Sequence, residues 1–224
     1  MNLMTYNPAD RPEYKQRRIN LDITHRCVLQ CSKCMRYFKP GLWKRGKDIS
    51  VEDYDKICKY FPGVLMCGQM GDPIYHPKFH SLMEVTLQRN AALTVSTNGH
   101  GKKDSWWDRS FDLSQQLKYC EWIFGVDGLP KDSHNYRVGQ DGEAVWQQMI
   151  KGAALGVNIT WQYIVFAYNE NDIEEAQQMA NDHNIKLMVT ESSRWVEDDP
   201  LRPTKHYIPR VLNKEIEMWG KTND

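Results

Sequence analysis

The sequence predicts an α/β fold: a partial (βα)6 barrel with parallel strands, folded as a single domain over residues 18–192. Two observations carry this expectation. Short apolar runs rich in β-branched and aromatic residues alternate with stretches of ten to fifteen residues at helical spacing, the pattern of βαβ units. In addition, residues of unusual chemistry follow four successive strands: Cys27, Cys31 and Cys34; Gly71-Asp72-Pro73; Thr97-Asn98-Gly99; and Asp127-Gly128. In a parallel barrel those strand ends open on one face, and that face carries the chemistry.

Taken in order, residues 1–17 form an N-terminal arm in which Pro8 and Pro12 discourage helix. Arg18 to Ile23 is the first strand, followed by the cysteine loop and an irregular stretch through Pro40, Gly41 and Gly46. Ser50 is a good N-cap, with Asp53 three residues on, for a helix whose apolar face is Val51, Tyr54, Ile57, Cys58 and Phe61. Pro62-Gly63 stops it. Strand two is Val64 to Cys67, and a helix from Pro77 to Asn90 follows. Strand three, Leu93 to Ser96, precedes a helix over 105–119; strand four, Trp122 to Val126, precedes one over Glu143 to Leu155, with Gly156 as its C-terminal stop. Strand five is Val157 to Phe166, strand six is Ile185 to Val189, and a helix at 172–183 separates them. Residues 193–224 form a charged, proline-broken C-terminal extension with a short helix around Val211 to Trp219.

Composition narrows the function. Lys+Arg and Asp+Glu number 29 each, so no global field exists for gripping DNA, RNA or an anionic membrane. Nucleic acid is therefore not an expected partner. The first eighteen residues lack the apolar segment of a signal peptide. No apolar run is long enough to cross a membrane. A cytoplasmic setting follows, in which clustered thiols bind metal or react more often than they pair.

Three of the six cysteines fall within eight residues, spaced C-x3-C-x2-C, in a loop directly after the first strand. Two inorganic centres suit them. A four-iron cubane held by three thiolates keeps one iron open to another ligand. A zinc ion would need a fourth ligand, which His25 could supply, but zinc leaves the later strand-end residues without a purpose. Cys58, Cys67 and Cys120 are scattered singly, on a helix face, in a strand and at a helix end, and read as small buried hydrophobes. Trp106, Trp107 and Trp161 read as core, and most histidines as surface residues.

The ordered set of motifs resembles the radical S-adenosylmethionine (radical SAM) superfamily. It comprises Cys27-x3-Cys31-x2-Cys34, Gly71-Asp72-Pro73 in place of Gly-Gly-Glu-Pro, Thr97-Asn98-Gly99, Asp127-Gly128, and His134-x-Tyr136-Arg137. The similarity covers roughly residues 18–190 and lies nearest the group that includes enzymes of molybdenum-cofactor synthesis and peptide maturation. It implies a partial TIM-like barrel and one [4Fe–4S] cluster on Cys27, Cys31 and Cys34. S-adenosylmethionine would sit on the open iron, and an external electron donor of flavodoxin or ferredoxin type would supply the electron. The implied cofactor contacts are Gly71, Asp72, Pro73, Ser96, Asn98, Asp127, Arg137 and Gln162, with Asp72 accepting from the cofactor's ammonium. Arg26, Lys33 and Arg36 would add positive charge beside the cluster. The implied reaction is hydrogen-atom abstraction, with a peptide or protein as the first substrate class and a nucleotide or other small molecule as the second. Lys33 stands where the family has an aromatic or aliphatic residue, and Gly125 where serine is common.

Overall fold

Strands that follow one another in space as they do in sequence, joined by right-handed crossovers, must place their helices on one side of the sheet. The sheet then curls toward a barrel. A computed structural model of the chain describes residues 18–38, 46–205 and 210–212 and has this architecture. The strands are β1 (Arg18–Leu21), β2 (Gly63–Met66), β3 (Ala92–Thr97), β4 (Cys120–Gly125), β5 (Asn158–Val165) and β6 (Lys186–Glu191). Each pairs in parallel with the next, in that order. The predicted partial (βα)6 barrel is borne out.

The helices are α1 (Met35–Phe38), α2 (Val51–Tyr60), α3 (Phe79–Gln88), α4 (Asp104–Gln116), α5 (Gly142–Ala154) and α6 (Ile173–Asp182). Ser50 caps α2 as expected, its hydroxyl oxygen accepting from Asp53 N at 3.0 Å. Gly156 follows α5 at φ +79°, a conformation glycine adopts without steric cost. Aromatic residues fill the layer between sheet and helices: Trp107, Phe111, Trp122 and Phe124 are fully buried and meet with ring centroids 5.4–6.1 Å apart. The Trp122 indole N–H donates to Ser114 Oγ at 2.9 Å, so its polar edge is satisfied inside the core.

Several expectations need correction. The stretch after the cysteines is not wholly irregular, because Cys34 begins a turn that continues into α1. Residues 210–212 are not helical but form β7 (Arg210–Leu212), antiparallel to β6; a partner strand at an open sheet edge outweighs local helical spacing. The rest of the expected 211–219 helix and the 1–17 arm lie outside the described residues. Cys67 lies just past β2, and Cys120 opens β4 rather than ending a helix. His76 is buried instead of surface-exposed, with Nε2 2.9 Å from Ile49 O. Cys58 and Cys120 are buried as expected.

Candidate active site

The C-terminal ends of the parallel strands converge on a cavity lined by the three cysteines of the β1 loop. Gly71 and Asp72 after β2, Ser96 and Asn98 at the end of β3, Gln162 on β5, and Arg137 also line it. Of the residues predicted for the site, Pro73 and Asp127 do not reach the cavity wall. Pro73 starts a short 3-10 turn with Asp72 as its N-cap. His25, the proposed fourth zinc ligand, lines a neighbouring cavity instead.

The cysteine loop is shaped by its own backbone and by one arginine. Cys34 N donates to Cys31 O at 3.0 Å. Arg36 reaches back over the loop, donating to Leu29 O at 2.7 Å, Cys27 O at 3.3 Å and Cys34 Sγ at 3.4 Å. Of the three cations expected beside the thiols, Arg36 is the one with a thiol contact. Arg26 pairs with Asp48 at 3.0 Å, and Lys33 pairs with Asp199. Burial pushes the Cys31 thiol up to about 11, against the pull of the Arg137 guanidinium. Burial, aided by the Asp72 carboxylate, also raises Cys27. Both thiols therefore hold their protons at neutral pH until a metal displaces them.

Asp72 is buried and accepts three hydrogen bonds from the protein itself. It accepts from Asn98 N at 2.6 Å, Thr97 Oγ1 at 2.8 Å and Ile74 N at 3.2 Å. Its carboxylate thereby fixes the end of β3 and aims Asn98, whose Nδ2 lies 3.5 Å from Cys27 Sγ. Gly71 is required by the same packing, since a Cβ there would lie 2.1 Å from Thr24 O. Asp127 performs a similar task one layer away. It accepts from Arg137 Nε at 2.7 Å and Ile164 N at 2.8 Å. Its burial pushes the carboxyl up, opposed by Arg137. Arg137 lies over Gly125, where a Cβ would come within 2.2 Å of Nη2. The glycine in place of serine is thus room for a guanidinium.

Residues that sequence reasoning missed are Gly68 and Thr97 on the cavity wall, and Gln140 behind it. Buried Gln140 donates from Nε2 to Asn98 O at 2.6 Å and Gly125 O at 2.9 Å, tying the ends of β3 and β4 together. Thr97 was legible as part of Thr97-Asn98-Gly99; Gln140 carried no local signal.

A single zinc ion gathers four ligands at 2.0–2.3 Å around one point. Among the described residues no group of three His, Cys, Asp or Glu side chains is placed to do this. Three thiols spaced around the wall of one cavity suit a larger body, and soft thiolates suit iron and sulfide. The three-thiol donor set fits an iron–sulfur cluster.

Solved structures share the fold. Streptococcus suis SuiB bound to S-adenosylmethionine superposes with a TM-score of 0.68 at 14% identity, over 84% of this chain and 43% of that one. The likeness is one of fold. Native anSMEcpe with bound AdoMet shares this architecture at a TM-score of 0.60 and 15% identity, over 78% of this chain and 50% of its own. In sequence, a Pyrococcus furiosus protein described as a tungsten-containing aldehyde ferredoxin oxidoreductase cofactor-modifying protein is 30% identical over 136 residues, 58% of this chain and 36% of that protein. The chain spans half the length of these relatives or less. No family profile matches it.

Proposed function

We propose that the chain is a radical SAM enzyme that binds one [4Fe–4S] cluster through Cys27, Cys31 and Cys34 and removes a hydrogen atom from a peptide or protein. The carrying observation is the single cavity shared by the three thiols and the ends of β2, β3 and β5. Held by Cys27, Cys31 and Cys34, such a cluster would supply the one electron needed for reductive cleavage of S-adenosylmethionine to methionine and a 5′-deoxyadenosyl radical.

The chain's own residues orient and shield. Arg36 and Arg137 hold positive charge beside the thiols, which favours a more anionic, reduced centre. Gly71, Ser96, Asn98 and Gln162 offer polar or close-approach surface for the methionine and ribose ends of the cosubstrate. Asp72, on the wall, holds Asn98 in place, and Asp127, behind it, holds Arg137. An external flavodoxin- or ferredoxin-type donor supplies the electron, in the reducing cytoplasm. No described helix is long and apolar enough to cross a membrane.

The peptide reading draws support from SuiB bound to its precursor peptide SuiA and from anSMEcpe with bound Cp18Cys peptide. A second reading, action on a small-molecule cofactor, is favoured by the Pyrococcus relative. Reduced, reconstituted protein incubated with S-adenosylmethionine should release 5′-deoxyadenosine, and Cys31→Ala should release none. Product formation by that variant would overturn the proposal. Faster release with peptides than with small-molecule cofactors would separate the two substrate classes.

A further inference from the structure

Lys33, between the second and third cysteines, points inward. Its side chain is 12% exposed and forms an ion pair with Asp199, whose side chain is 0% exposed. The pair joins positions 166 residues apart. Beside it, Arg194 Nη1 donates to the Lys33 carbonyl at 3.0 Å, so the same residue is gripped by backbone and by side chain.

The segment doing the gripping is itself built around Asp199. The Asp199 carboxylate accepts from Leu201 N at 3.1 Å and from Val196 N at 3.3 Å, and its carbonyl accepts from Arg202 N at 3.0 Å. Three further ties anchor this turn on the loop after β5. Ala167 N donates to Leu201 O at 3.0 Å, Trp195 meets Phe166 edge-on at 5.8 Å, and Glu170 accepts from Thr204 N at 2.8 Å. Residues 194–204 therefore form a strut. One end rests on the barrel; the other holds the residue between two predicted metal ligands.

We propose that Asp199 and Arg194 are positioning residues for the metal-binding loop: they hold the Cys31–Cys34 turn in place and neutralise the charge that Lys33 brings to that turn. The inference rests on the cysteine assignment proposed above. Its physical basis is twofold. A buried ion pair broken on one side leaves an uncompensated charge that strains its surroundings. A net charge left beside an iron–sulfur centre moves its reduction potential, upward for a cation and downward for an anion.

Two opposite truncations test this. Asp199→Asn keeps the shape of the turn and takes the carboxylate charge away from Lys33; Lys33→Met leaves Asp199 and its backbone bonds intact. In the metal-free chain, both should speed amide hydrogen exchange at Cys34 at least tenfold. In Lys33→Met the amides of Val196 and Leu201 should stay as protected as in the parent. After reconstitution, both should hold less than half the parent's iron when loaded for equal times. The remaining cluster should have a higher reduction potential in Asp199→Asn and a lower one in Lys33→Met. A general loss of structure would not give shifts of opposite sign. Unchanged Cys34 exchange, iron loading and potential in both variants would overturn the strut and leave the cysteine assignment standing. A parent chain that takes up no iron would overturn the cysteine assignment, and the exchange measurement alone would then decide the strut.

Discussion

Asp72 and Asp127 make an instructive pair. Each follows a strand, is completely buried and has its carboxyl pushed up by that burial. Asp72 accepts from neutral donors, two backbone N–H groups and a threonine hydroxyl. Asp127 is bound to a guanidinium that is itself 13% exposed. The first carboxylate lies on the cavity wall and fixes backbone; the second lies behind the wall and aims a charge into it. These two acidic residues therefore serve the groups beside the cavity, Asn98 and Arg137, before they serve any ligand.

The comparison can be broken by mutation. Asp127→Asn should be the more damaging change, costing about 3–5 kcal/mol in urea unfolding, because it leaves a buried cation without its counter-ion. Asp72→Asn should cost about 1–3 kcal/mol, the scale of a donor left unsatisfied in the interior. Equal losses would mean that the Arg137 pairing carries no special weight. Gly125→Ala sharpens the Asp127 side. The new Cβ must displace a guanidinium pinned by that carboxylate, for about 1–3 kcal/mol, and the same variant paired with Arg137→Ala should recover part of the loss.

The smallest effect concerns pH. The folded Cys31 thiol is pushed up to about 11, whereas an unfolded thiol ionises near 8.5. A group with a raised folded value contributes stability that is complete below the unfolded value and lost as pH rises through the folded one. The metal-free chain should accordingly lose melting temperature between about pH 8.5 and 11, and Cys31→Ser should lose less over that window. Alkylation of Cys31 at pH 8.5 should be slower than that of a free thiol by about two orders of magnitude, read by peptide mass spectrometry.

Much of the fold was legible because its signals are local. Gly156 marked the end of α5, Ser50 the start of α2, and β-branched runs the strands. The cysteine loop and the strand-end order also announced the site. What the sequence could not disclose were pairings across distance. Asp72 and Asp127 looked like ligand contacts, since nothing adjacent reveals that Thr97, Asn98, Arg137 and Ile164 donate to them. Lys33 looked like a surface cation for the cluster, but its partner lies in a proline-broken segment far along the chain. β7 was missed because edge pairing with β6, not its own residues, makes Arg210–Leu212 a strand.

The central claim is that Cys27, Cys31 and Cys34 cradle a four-iron cluster. Anaerobic reconstitution with iron and sulfide, followed by metal analysis, tests it most directly. The prediction is a brown protein with about four irons per chain that bleaches on reduction, and a colourless one for the Cys27→Ala, Cys31→Ala, Cys34→Ala triple variant. A colourless parent protein carrying one zinc ion would contradict it.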